Sequence, residues 1–181
     1  MCDTPAEVEP HWRALAARSV ALGFAPLDIA TTNEPDLHLA VGAARIAPIW
    51  AAPDRAVFVV PPGTTPVRLV SRAMVPAALR PWMEDRRRLG VMVKALTLRQ
   101  GAERTDIALD DPSIAGGWWA TERDAAAIWR WTNGAALLDL PPGGTQPGTM
   151  RATLLEVCLG EPLAYPLVAP HAAHPTASRA A

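Results

Sequence analysis

The sequence predicts a mainly β protein: an antiparallel β-sandwich of jelly-roll type, preceded by one helix and a short β-hairpin. Three observations carry that expectation. From residue 55 onward, short apolar runs recur about ten residues apart between proline and glycine turns, the spacing of strands in an antiparallel sandwich. Nineteen prolines in 181 residues disfavour long helices and long central strands alike. Residues 128–140 carry a hairpin signal, with Asn133-Gly134 between two apolar runs, a dipeptide that tolerates the positive φ angles of a two-residue type I′ turn.

Taken in order, residues 8–24 read as a helix, with Trp12, Leu15, Ala16, Ser19 and Leu22 at spacings of three and four. Pro10 suits its first turn and Gly23 its stop. Residues 36–41 alternate Leu37, Leu39 and Val41 against Asp36, His38 and Ala40, and Gly42-Ala43 turns the chain back into a second short strand over 44–49. Residues 1–50 thus form a helix and hairpin packed on the main domain, 51–54 a linker, 55–168 the sandwich, and 169–181 a small, polar, disordered tail.

Within the sandwich, 56–60 is a buried run. Residues 67–72 put Val67, Leu69 and Ser71 on one side, and 80–88 form a polar loop or helical turn. Residues 89–99 change phase: Leu89, Val91 and Val93 share one parity and Leu96 and Leu98 the other, which predicts a β-bulge near Lys94-Ala95. Further strands are expected at 105–109, 117–120 and 151–159, the last with Thr153, Leu155, Val157 and Leu159 on one face. In the 128–140 hairpin, Trp129, Trp131, Ala136, Leu138 and Leu140 would share the core face, with Arg130, Thr132, Leu137 and Asp139 opposite.

Composition narrows the function. A net charge of −1 gives no electrostatic reason for a nucleic-acid or anionic-membrane partner. Cys2 and Cys158 are isolated thiols without metal or disulfide-scaffold spacing. No apolar stretch reaches the roughly 18 residues of a membrane span. No signal-peptide pattern is visible, so a cytoplasmic location or leaderless export is expected. His171 and His174 lie in the tail and His38 stands alone, so no metal or other cofactor is expected. No nucleophile elbow, phosphate loop or catalytic triad can be assembled, and no catalytic residue is assigned.

The candidate site is the adjacent pair Trp118-Trp119 with Glu122. On a strand one indole points in and the other out; Gly116-Gly117 before the pair makes Trp119 the inward residue. An outward indole beside a carboxylate suits a sugar ring, whose apolar face stacks while its hydroxyls are held, or a protein interface. Glu122 is equally a natural partner for a buried Arg130. A carboxylate-dependent glycan hydrolase drawing on Glu84, Asp85, Asp110, Asp111 and Glu122 is the alternative, since glycosidases need two carboxyl groups about 5–9 Å apart. Asp110-Asp111-Pro112 reads as a turn.

Three phrases carry a resemblance: EPDLHLAVGAARIAPI at 34–49, VRLVSRAMVPAALRPWMEDRRRLGVMV at 67–93, and GWWATERD…WRWTNGAALLDL at 117–140. Together they resemble the region that follows the Hint (hedgehog/intein) module in bacterial Hint-domain-containing proteins. The last phrase is also similar to β-sandwich accessory domains attached to some bacterial glycosyltransferases, where a Gly-aromatic…Glu…Arg-Trp-Thr-x-Gly pattern recurs. The matching residues here are Gly117, Trp118, Glu122, Arg130, Trp131, Thr132 and Gly134, and the likeness spans roughly residues 10–165. The Hint module's nucleophilic cysteine phrase is absent, because Cys2 is followed by Asp-Thr-Pro. The resemblance therefore implies a stand-alone accessory domain without autoprocessing. The expected function is a non-catalytic β-sandwich module that binds a carbohydrate or a protein partner.

Overall fold

Frequent proline and glycine keep each strand short, and the fold is assembled by crossing repeatedly between two sheets. The computed structural model describes residues 4–24, 29–62, 66–111, 114, 116–140 and 153–167. Helix α1 spans Pro5–Ala21. Strands β1 (Thr31–Thr32), β2 (His38–Val41), β3 (Ala44–Ile46), β4 (Ile49–Ala52), β5 (Arg55–Val60) and β6 (Val67–Val70) follow, then a short helix α2 (Pro76–Leu79). Strands β7 (Met92–Gln100), β8 (Glu103–Ile107), β9 (Glu122–Arg123), β10 (Ile128–Trp131), β11 (Ala135–Leu138), β12 (Thr153–Leu159) and β13 (Tyr165–Pro166) complete the described chain.

The larger sheet has seven strands in the order β4-β5-β12-β7-β10-β9, with β8 also on β7; the smaller runs β11-β6-β2-β3, and β1 and β13 form a separate ribbon. All these pairings are antiparallel. Among the described residues the protein is mainly β, with no closed barrel, and one apolar cluster joins the two sheets as a β-sandwich. Phe58, Val93, Leu155 and Val157 of the larger sheet and Leu39 and Val67 of the smaller are fully buried in it. No described helix is long and apolar enough to cross a membrane.

Several local readings hold in detail. Thr153, Leu155, Val157 and Leu159 alternate into the core, as do Val67 and Leu69. The bulge sits where the phase change places it: Cys158 pairs with Ala95 and Leu159 with Val93, so Lys94 is the extra residue. That single insertion lets Val91 and Val93 share the inner face with Leu96 and Leu98. The 36–49 hairpin forms as β2 and β3, with Gly42 at φ 57° in its turn. It supplies two of the four strands of the smaller sheet, through β2 on β6. Residues 51–54, expected as a linker, belong to the β4–β5 hairpin.

Other expectations are corrected. Helix α1 starts three residues early, because Thr4 and Glu7 close a capping box and Pro5 occupies the first turn. Pro10 therefore lies inside the helix. Its apolar stripe is not buried: Trp12 meets Trp82 with ring centroids 5.1 Å apart, while Leu15 and Leu22 are each 68% exposed. The strand expected at 117–120 reduces to one bridge, Trp118 to Thr132. The tail at 169–181 lies outside the described residues.

The main correction concerns Asn133-Gly134. Gly134 has φ 97°, but Asn133 is not in the positive region that a type I′ turn requires at both positions. Strand β10 pairs with β7 and β9 in the larger sheet, and β11 with β6 in the smaller. Asn133-Gly134 thus carries the chain from one sheet to the other instead of folding it back. Asn133 Oδ1 accepts the Ala135 N–H at 3.0 Å, and Gly134 C=O accepts from Ser71 N–H at 3.0 Å. Local turn chemistry is satisfied either way; the free edges of β6 and β7 decide which strands pair.

Candidate binding cleft

Crossing between sheets inverts the two faces of β10. Arg130 pairs directly with Val93, an inner-face residue, and Trp131 with Met92. Residues opposite one another in a ladder point the same way. Arg130 therefore turns towards the sandwich interior, and Trp129 and Trp131 turn to the outer surface of the larger sheet. This reverses the face expected for all three. Only Ala136, Leu138 and Leu140 of the expected core set join the inter-sheet cluster.

The outer face of β10 is roofed by the chain between β6 and β7. Met74 and Leu89 close that excursion with two backbone hydrogen bonds of 2.8 and 2.7 Å, and the Ala77 N–H donates to the Asp85 carbonyl at 3.0 Å. Together with residues 161–164 it encloses a cleft of about 540 Å³. Trp129, Trp131, Met74, Met83 and Met92 give the cleft its apolar walls, and Arg80, Asp85, Arg87, Glu122 and Glu161 its charged ones.

Arg87 organises the charged side. Its guanidinium donates from Nε and Nη2 to the Asp85 carboxylate, at 3.1 and 2.8 Å, and from Nη1 to Glu122 Oε1 at 2.7 Å. The other Glu122 oxygen accepts from the Trp129 indole N–H at 3.1 Å. Arg87 also stands 5.9 Å over the Trp119 ring. The hydrogen bonds from Arg87 hold the Asp85 carboxyl below the usual carboxylate range, and the same contacts raise the Arg87 pKa.

The expected Glu122–Arg130 pair does not form. Arg130 donates instead to the Trp119 carbonyl at 2.6 Å and the Leu109 carbonyl at 2.8 Å, with Trp118 beneath it at 5.9 Å. Desolvation lowers its pKa. The inward indole is Trp118, not Trp119. Trp118 is 8% exposed and its N–H donates to the Leu137 carbonyl at 2.8 Å, so it offers no free face. Trp119 is half-buried, its N–H held by the Arg88 carbonyl at 2.8 Å. Of the expected ligand residues, Glu122 lines the cleft.

The remaining matched positions hold the crossover together. Thr132 is fully buried and its hydroxyl accepts the Val91 N–H at 3.0 Å. Gly117 has φ 82°, and a Cβ there would lie 2.3 Å from the Ala135 carbonyl oxygen. A side chain at that position has neither the backbone conformation nor the space.

Of the five carboxylates considered for hydrolysis, Asp85 and Glu122 come together in the cleft. Both are ion-paired to the same guanidinium. A glycosidase acid must keep its proton near neutral pH, through a raised pKa; Asp85 is pushed the other way. Asp110 lies in a turn and is exposed. Among the described residues no group of three or more His, Cys, Asp or Glu could hold a metal ion. The His38 ring Nδ1–H donates to the Asp36 carbonyl at 2.8 Å.

Sequence reasoning missed Arg87 as the hub, because its bond to Glu122 spans 35 positions and the run 84–88 reads as a solvated loop. It also missed Trp129 as a cleft residue, since the hairpin register turned that indole inward. No protein-family model, curated protein or solved structure matches the chain. What the fold and the cleft define is a two-sheet antiparallel β-sandwich with an indole-walled, charge-rimmed groove on the outer face of its larger sheet.

Proposed function

We propose that this chain is a non-catalytic β-sandwich module that binds carbohydrate in the cleft beneath residues 74–89. The observation that carries the reading is the placement of the half-buried Trp129 against the Asp85–Arg87–Glu122 network in one groove, with the buried Trp131 as part of its wall. An indole face takes the apolar C–H surface of a sugar ring, and fixed carboxylate and guanidinium edges accept from and donate to its hydroxyls. Apolar walls with a few convergent polar groups are the usual make-up of a small-ligand site. The resemblance of residues 117–140 to accessory domains of glycosyltransferases supports the same reading.

Binding is favoured over hydrolysis because Arg87 pairs with both convergent carboxylates and lowers the Asp85 pKa, the opposite of what a proton donor at that position needs. The protein-partner reading draws on a different surface: Leu15, Leu22 and Phe24 of the N-terminal region are 65–68% exposed, an apolar area suited to another protein.

The test is a glycan array followed by calorimetric titration of the hits. Specific binding that Trp129→Ala abolishes, with the melting temperature retained, is the expected result. Release of reducing ends from a bound glycan would favour the hydrolase. No retained glycan, with a protein captured through the α1 surface, would replace the carbohydrate reading.

A further inference from the structure

Trp50 is a further indole near this groove. It lies on β4 and is 43% exposed. It pairs with Ala56, which is fully buried, so by ladder alternation its ring lies on the same side of the sheet as Ala56. There it helps to line a second cleft of about 350 Å³, with Asn33, Glu34, Glu161 and Tyr165. The two clefts have common walls in Met92, Glu161 and Pro162.

That common wall is fixed. The Gly160 N–H donates to the Met92 carbonyl at 2.9 Å, and a Cβ on Gly160 would stand 2.2 Å from the Met92 sulfur. Met92 is thereby clamped under the turn that presents Glu161 and Pro162. On the far side the Tyr165 hydroxyl donates to the Gly90 carbonyl at 3.0 Å, in full burial. Both clefts thus have walls held by the fold rather than by the ligand.

We infer that these clefts are two subsites for one extended oligosaccharide, with Trp129 receiving one part of the chain and Trp50 another across the Glu161–Pro162 ridge. This rests on the carbohydrate reading of the first cleft. The second cleft repeats the chemistry of the first on a smaller scale: an exposed indole face with the Asn33 amide and the Glu34 and Glu161 carboxylates beside it. Across both clefts four carboxylates (Glu34, Asp85, Glu122, Glu161) face two guanidiniums (Arg80, Arg87). That excess of negative charge selects an uncharged chain over a polyuronate.

The test uses two size-graded series, N-acetylglucosamine oligomers and β-1,4-linked glucose oligomers, each from dimer to hexamer. They are titrated calorimetrically into the full chain and into its Trp50→Ala and Trp129→Ala variants. The expected result is affinity that rises with length in at least one series. Trp50→Ala should then lower hexamer affinity roughly tenfold, about the value of one lost stacking contact, and leave the dimer unchanged. Trp129→Ala should weaken every length. Binding independent of length, with Trp50→Ala silent, overturns the second subsite and leaves the first. No binding at any length in either series overturns both. If Trp50→Ala lowers the melting temperature, Asn33→Ala, an exposed residue of the same cleft, is the substitute: it should weaken hexamer binding and spare the dimer, and no change at any length overturns the second subsite.

Discussion

Arg87 Nη1 lies 2.7 Å from Glu122 Oε1, while the same guanidinium grips Asp85 two residues away. One arginine therefore ties the excursion over residues 74–89 to the short strand β9, and sets the charge of the cleft between them. Each carboxylate alone would be an ordinary surface acid; together they need Arg87 to sit in one groove.

Replacing that arginine should cost stability. Arg87→Met leaves two carboxylates near each other with no counter-charge, and a loss of about 1–2 kcal/mol is expected from urea unfolding at neutral pH. The figure is modest because the three side chains are 34%, 26% and 33% exposed, so water screens them. No measurable change would mean that the network is a surface ornament of the fold.

The same network predicts acid sensitivity. Arg87 depresses the folded-state pKa of Asp85 below its ordinary 3.8. A depressed carboxyl contributes stability that is complete above the unfolded value and lost as pH falls through the folded one. The free energy of unfolding should therefore drop more steeply below about pH 4 in the parent than in Arg87→Met. Asp36, Asp106 and Asp124 are also depressed but are common to both proteins. Parallel acid limbs would refute the assignment.

The adjacent tryptophans should respond unequally. Trp118→Ala empties a core position and removes an indole N–H donor, for a cost of roughly 3–5 kcal/mol. Trp119→Ala removes a half-buried ring over which Arg87 stands, at about 1–2 kcal/mol. Chemical denaturation of both variants decides it; a larger loss at Trp119 would mean that the two indoles are placed the wrong way round.

Thr132→Val keeps the shape of a buried side chain and deletes the acceptor of the Val91 N–H. The cost expected is about 1–3 kcal/mol, that of an unsatisfied buried donor. Hydrogen exchange at the Val91 amide should quicken by more than at its neighbours in β7. Uniform acceleration would mean general loosening instead.

Glycines with positive φ separate strain from crowding. Gly42→Ala meets nothing within 4 Å, so only the backbone cost of roughly 1–2 kcal/mol applies. Gly117→Ala adds a collision with the Ala135 carbonyl and should lose at least about 3 kcal/mol or fail to fold. Equal melting temperatures for the two variants would contradict the close approach at Gly117.

The sequence by itself determined the class of fold, the inward faces of β6 and β12, the β2–β3 hairpin and the bulge at Lys94. Each is a local matter: alternation with period two, a glycine in a turn, or one residue of phase slip read along a single strand. Tertiary structure alone decided where Asn133-Gly134 sends the chain, which way Arg130 and Trp131 point, and that Arg87 rather than Arg130 meets Glu122. The reason is physical. A strand's two faces are equivalent until a neighbour claims one edge, and a one-residue change of register exchanges them. For β10 the neighbour is β7, more than thirty positions away in the chain, and nothing in residues 128–140 encodes that choice.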